Sequence, residues 1–309
     1  MPATGQTRAY VALGLIVVLW ASYPAMAKLA LRDFPPFFLT LVRCLIASSF
    51  LVALLVRAPA RPLSSLGWGS LPPFLILGVA GIWISMQFTY VAIYYTTAGN
   101  AVILQCATPI TVAIGARLYL GERLQPIQWL GAAISMFGVL LVITKGRLAM
   151  IRPEELHAGD LITLVSLCGW TAYTVYGTRL LSVHSPELAT TAAYVLGTLM
   201  LIPTAAATAP LFPPPRFGSV IAWSVVLYQA LFGAVAHLWW YRAVRVVGAS
   251  RSALFMNLQP IIGLLLARLL LDETIGLWQV IGATFVLGGV ALTTRARSRT
   301  PGPARATTT

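Results

Sequence analysis

The stretch PITVAIGARLYLGERLQPIQWLGAAISMFGVLL, residues Pro109–Leu141, recurs 151 positions later as PIIGLLLARLLLDETIGLWQVIGATFVLGGVAL, residues Pro260–Leu292. Thirteen of the 33 aligned positions are identical, among them Pro109/Pro260, Arg117/Arg268, Glu122/Glu273, Gln128/Gln279, Gly131/Gly282 and Gly138/Gly289. Chance in such apolar sequence would leave roughly two or three. The same shift sets Tyr90 on Tyr241 and Ala92 on Ala243, and a shift of 150 sets Trp20 on Trp170 and Tyr23 on Tyr173. The duplication therefore runs through nearly the whole chain.

Both copies are apolar. Hydrophobic residues make up 58% of the 309 positions and charged residues 9%, against about a quarter charged in a soluble domain. The chain lacks the polar surface that would cover a soluble core, so lipid is its expected solvent. A spanning helix needs about 20 mostly apolar residues, and ten segments qualify. They are Tyr10–Leu29, Pro36–Val56, Leu71–Tyr94, Gly99–Leu120 and Ile127–Ile143, then Asp160–Leu181, Leu188–Ala207, Val220–Val244, Ala249–Leu271 and Leu277–Thr293. The first has a leader-like look, with Arg8 ahead of it and Ala25-Met26-Ala27 inside it. Its length and its partner in the second copy favour a retained span. The chain thus divides into a first repeat (10–143), a connection (144–159), a second repeat (160–294) and a tail (295–309). The tail is rich in Arg, Thr, Pro and Ala and is expected to be disordered and cytoplasmic.

Five spans per repeat is an odd number, so the second copy crosses the membrane in the opposite sense. The expected fold is an all-α membrane protein of ten transmembrane helices, two inverted five-helix repeats around a central cavity. Such halves can exchange shapes around a central site, which is alternating access. The net charge of +13 is spread singly between apolar runs rather than in a patch, which speaks for a membrane surface and against nucleic acid. Counting Lys and Arg by side gives thirteen with the N-terminus and seven opposite, Arg43 aside. Both termini are then expected in the cytoplasm.

These duplicated residues carry a resemblance. Tyr90-x-Ala92, Pro109, Leu120-Gly121-Glu122, Gly131 and Gly138 recur as Tyr241-x-Ala243, Pro260, Leu271-Asp272-Glu273, Gly282 and Gly289. The pattern resembles the drug/metabolite transporter superfamily, specifically its ten-helix members with paired EamA domains. Asp272 departs from the family's usual Gly-Glu pair. The resemblance implies a ten-helix basket in a bacterial inner membrane, commonly exporting amino acids or related metabolites.

Pro109 and Pro260 each sit about ten residues into a span, where proline removes a donor and clashes with the preceding turn. They are read as helix breaks that gate or line the cavity, with a packing kink as the alternative. Thr108, Asn257 and Gln259 are polar neighbours that favour the first reading. Trp83, Gln87, Tyr90 and Tyr94 fall on one face of the third segment at helical spacing. His237, Trp240 and Tyr241 lie in the eighth, Trp20 and Tyr23 in the first, and Trp170 and Tyr173 in the sixth. Aromatic rings with polar tips suit an organic substrate, or else a belt at the headgroups. Trp68, Tyr94, Trp129, Trp223 and Trp278 fit the belt. The substrate-binding set is expected to be Trp20, Tyr23, Gln87, Tyr90, Trp170, Tyr173, His237, Trp240, Tyr241 and Asn257. His237 can carry protons, bind substrate or simply pack. Arg43, a third of the way into the second segment, attracts a substrate anion or serves structure, whereas Arg117 and Arg268 near helix ends read as structural.

All eight acidic residues fall at helix ends or in connections. This weakens the alternative of a multidrug or quaternary-ammonium efflux transporter built on a membrane carboxylate. A nucleotide-sugar or phosphate-ester carrier has only Arg43 to recommend it. A non-transporting membrane enzyme or scaffold finds no support from H-E-x-x-H, P-loop or Ser-His patterns. Cys44, Cys106 and Cys168 lie singly in apolar runs, so neither a disulfide nor a metal site is expected. No cofactor is expected. The expected partners are a small-molecule substrate and membrane lipid, and the oligomeric state stays open.

Overall fold

The computed structural model describes residues 3–57, 71–121, 125–146, 157–247, 252, 255, 256 and 259–295. Every one of the ten apolar segments carries helix: α1 (Ala3–Ala30), α2 (Pro36–Arg57), α3 (Leu71–Tyr95), α4a (Ala98–Gln105) and α4b (Thr108–Tyr119), α5 (Pro126–Ile143), α6 (Ala158–Leu180), α7 (Pro186–Thr208), α8 (Val220–Val247), α9 (Gln259–Leu271) and α10 (Leu277–Arg295). Among the described residues there is no strand. Six helices are individually long and apolar enough to cross a membrane, and the bent α4a–α4b pair makes seven. α6 is more polar because it turns Thr163, Ser166 and Thr174 inwards, and α9 is described over only 13 residues.

Proline and hydroxyl caps set the helix starts. Pro186 opens α7 behind Ser185, whose hydroxyl accepts the Leu188 amide at 3.2 Å. Thr97 does the same for α4a through the Asn100 amide at 3.1 Å. The fourth segment breaks at Cys106 and Ala107, and its halves meet at about 40°. Pro109, in the first turn of α4b, has no amide to give the Gln105 carbonyl; the Thr108 hydroxyl supplies that bond instead at 2.5 Å. In α3, Gly78–Met86 winds as a π-helix, and the Ser85 carbonyl is taken by two hydroxyls, Thr89 at 2.8 Å and Ser166 at 2.9 Å.

The packing obeys the duplication. α1 packs on α8 and α9, and its counterpart α6 packs on α3 and α4b. Repeat-mates pack on each other: α2 on α7, α4a on α9, and α5 on α10. The α5–α10 pair is built on glycine. A Cβ at Gly138 would lie 2.6 Å from the Gly282 carbonyl, and Gly289 abuts the backbone at Gly131 and Ser135. Gly138 meets Gly282 while Gly131 meets Gly289, so the two helices run antiparallel. The repeats are therefore inverted, and small residues bring their backbones together. Equivalent residues 150 apart meet directly: Ser48 with Thr198 at 3.0 Å between hydroxyl oxygens, and Trp20 with Trp170 at 5.4 Å between ring centroids. Outward, the helices show leucine, isoleucine and valine, as with Leu118 (82% exposed) and Leu269 (67%). That surface is solvated by lipid.

Candidate functional site

Between the repeats lies a cavity of about 140 Å³, room for roughly ten waters on the same measure, or one small organic molecule. α1 contributes Trp20, Tyr23 and Ala27, and α2 contributes Arg43. α3 contributes Gly81, Ser85, Met86, Thr89, Tyr90 and Ile93. α6 adds Ser166, Leu167, Trp170 and Thr174, and α8 adds His237 and Trp240. Gln105 and Thr108 flank the break in the fourth segment, with Val112 in α4b, and Met256 and Gln259 precede Pro260.

One region of the wall is aromatic. Trp20 sits edge-on to Trp170 and 5.3 Å from the His237 ring, with Trp240 5.5 Å away. His237 is buried, its Nδ1 2.9 Å from the Gly233 carbonyl and 3.1 Å from the Tyr194 hydroxyl. A second region is built around Arg43, which is 1% exposed. Its Nε donates to the Gln229 carbonyl at 3.2 Å, and Nη1 donates to the Met86 thioether. The guanidinium carbon lies 5.6 Å from the ring centres of both Tyr23 and Tyr90. Gln229 ties this region together: its Oε1 accepts the Tyr90 hydroxyl at 2.5 Å, and its Nε2 donates to the Tyr23 carbonyl at 3.1 Å.

Six of the ten expected substrate residues therefore line the cavity: Trp20, Tyr23, Tyr90, Trp170, His237 and Trp240. Arg43 joins them. Three lie elsewhere. Tyr173 and Tyr241 stack on each other at 5.1 Å in the core, and Tyr241 donates to the Tyr173 carbonyl. Gln87 is buried without a partner for either amide atom. The cavity face of α3 runs through Gly81, Ser85, Met86, Thr89, Tyr90 and Ile93, about one position ahead of the Trp83–Gln87–Tyr90–Tyr94 stripe. Wider π turns change which residues share a face, and Trp83 instead donates to the Thr204 hydroxyl on α7 at 2.9 Å. Asn257 lies outside the described residues. Pro109 and Pro260 each sit beside lining residues, Thr108 and Gln259.

Gln229 was not foreseen, although a lone amide deep in the apolar run Val220–Val244 was signal enough to mark it. Glu273, an acidic residue at a helix end and part of the duplicated motif, has a partner in the other repeat. Its carboxylate accepts the first amides of α4a, Ala98 at 2.9 Å and Gly99 at 3.0 Å. The α3–α4a turn is also held by Asp160, which accepts from the Thr96 hydroxyl and the Asn100 amide, and Asn100 in turn accepts from Gln279 at 2.6 Å. Lys28 closes the same end on the carbonyls of Ile93 (2.7 Å) and Thr96 (2.6 Å).

Residues 7–144 and 157–295 each match the EamA-like transporter family. The chain belongs to that family. It is 31% identical over 220 residues to the uncharacterized transporter YyaM of Bacillus subtilis (70% of this chain, 71% of that one). An uncharacterized transporter of Archaeoglobus fulgidus is 30% identical over 290 residues, covering 93% of this chain and 98% of the relative. The uncharacterized inner membrane transporter YedA of Escherichia coli K12 is 24% identical, with 92% and 89% covered. A solved crystal structure shares the fold with a TM-score of 0.65, at 22% identity over 94% of this chain and 97% of that chain. This EamA-like protein is thus an integral membrane transporter, and its cavity lies where the two matched copies meet.

Proposed function

We propose that this transporter moves small organic metabolites, amino acids or related compounds, out of the cell by alternating access, as a secondary carrier in a bacterial inner membrane with both termini cytoplasmic. The cavity carries this reading. It lies between inverted halves, takes its wall from both, and presents indole and phenol rings beside hydroxyls and amides. That mixture suits a solute with an apolar body and polar ends. The broken fourth segment supports a moving wall, because its helix is already interrupted and the carbonyl that Pro109 leaves free is met by the Thr108 hydroxyl.

The aromatic wall also favours the second reading, efflux of quaternary ammonium compounds. Against it, the cavity wall contains no Asp or Glu among the described residues.

The test is flux in proteoliposomes of the purified full-length chain, with and without an imposed pH gradient, against a panel of amino acids and related metabolites. Saturable movement without nucleotide is expected. An inert protein across the whole panel sinks the export reading, and movement of quaternary ammonium compounds alone transfers it to the second.

A further inference from the structure

Two of the cavity's unpartnered polar groups can only donate, and the Thr174 hydroxyl, also unpartnered, can donate or accept. Trp20 Nε1 and Trp240 Nε1 are buried and make no hydrogen bond, and an indole nitrogen can only donate. The Tyr23 hydroxyl is buried and hydrogen-bonds no group other than Arg43, which leaves its own proton free to donate. It converges with Arg43 on one point of α8: a Cβ at Gly233 would lie 2.5 Å from Arg43 Nη2 and 2.8 Å from the Tyr23 oxygen. Arg43 itself spends one nitrogen on a thioether, a weak acceptor.

Among the described residues no carboxylate answers this charge. Among the described acids, Asp33 pairs with Arg216, Glu187 with Arg242, Asp160 holds Thr96 and Asn100, and Glu273 caps α4a; Asp272 ends α9. Glu122, Glu154 and Glu155 belong in sequence to connections between apolar segments. A buried cation without a counter-ion is costly in a membrane interior, and buried donors without acceptors add to that cost.

We infer that Arg43 and the Tyr23 hydroxyl form the subsite for a carboxylate of the transported solute, making the substrate class an organic monoanion or a carboxylate-bearing zwitterion. Both residues line one cavity and their polar tips lie side by side against Gly233, and one guanidinium balances one negative charge, which favours a carboxylate over a dianionic phosphate ester. Trp20, Trp170 and Trp240 enclose the organic body, and the two indole N–H groups meet further oxygen acceptors on the same solute. The inference rests on the transporter reading and specifies its cargo.

Three matched probes test it by thermal melting and tryptophan fluorescence of the full-length protein in detergent, at constant ionic strength: phenylacetate, its neutral amide phenylacetamide, and phenyltrimethylammonium. Phenylacetate is expected to bind at least about ten-fold more tightly than the amide, and the cation more weakly still. Arg43→Gln should erase the preference for acid over amide, Arg43→Lys should retain part of it, and Tyr23→Phe should weaken phenylacetate alone. The wild-type comparison stands even if Arg43→Gln does not fold. Equal binding of acid and amide, preference for the cation, an unchanged preference in Arg43→Gln or Tyr23→Phe, or no binding by any monocarboxylate from acetate to indole-3-acetate would overturn the subsite. Carboxylate binding without flux in proteoliposomes overturns the transport reading and leaves the subsite standing; flux of amides or cations without carboxylate preference does the reverse.

Discussion

At the residue scale, three positions one turn apart on α8 organise the charged side of the cavity. Gln229 holds Arg43, Tyr23 and Tyr90; Gly233 leaves the space in which Arg43 and Tyr23 meet; His237 closes the aromatic side. Residues i, i+4 and i+8 share a helix face, so one stripe serves the whole site. Gly233→Ala sets a methyl carbon 2.5 Å from Arg43 Nη2 and 2.8 Å from the Tyr23 oxygen, so both polar tips must shift. We expect it to reduce substrate affinity about ten-fold while costing about 1–3 kcal/mol of stability at most, read as KM for uptake beside the melting curve. Wild-type uptake by this variant would mean that Arg43 and Tyr23 need not converge there.

At the element scale, two contacts decide how the halves meet. α5 and α10 touch through glycine backbone, where a side chain has nowhere to go. Gly138→Ala is expected to destabilise by about 1–3 kcal/mol, whereas Gly288→Ala, whose Cβ meets nothing within 4 Å, should be neutral; equal melting temperatures for the two variants would remove the close-packing account. The second contact is the Glu273 carboxylate at the start of α4a, a second-repeat side chain on a first-repeat helix. Charge-assisted bonds to helix N-terminal amides tie the two repeats together at this end. Glu273→Gln keeps the shape and loses the charge, so amide exchange at Ala98–Asn100 should speed up about ten-fold. Exchange at the wild-type rate would show that this junction draws its stability from elsewhere. Legibility also differs by element. The break before Pro109 was readable because proline's missing donor acts locally. The π turns of α3 were not, because Gly78–Met86 has no proline and its widened winding is stabilised by Ser166 from another helix.

At the scale of the whole molecule, inversion makes both termini share a side only if all ten segments cross. A fluorescent protein fused after Arg295 should fluoresce and an alkaline phosphatase fusion at the same place should be inactive, as expected for a cytoplasmic C-terminus. An active phosphatase would put the C-terminus outside, through a reversed orientation of the ten segments or through an odd number of crossings. The inverted symmetry is carried by the backbone and broken by the site. Arg43 falls on Ala193 or Tyr194 in the shifted sequence, and neither can replace its charge. Each half therefore supplies wall, while one half alone supplies the cation.

The sequence by itself determined the helices, the duplication and its inversion, and the proline break. Hydropathy, odd span number and a missing amide are local or countable properties that no neighbour can alter. It also nominated Trp20, Tyr23, Tyr90, Trp170, His237, Trp240 and Arg43. Only the tertiary structure decided that Tyr173 and Tyr241 bury each other, that Gln87 turns off the cavity, that Gln229 orders the site, and that no acid among the described residues reaches Arg43. Those outcomes depend on the rotation of each helix about its axis. Glycine contacts and π turns fix that rotation, and it moves whole stripes of side chains into or out of the cavity.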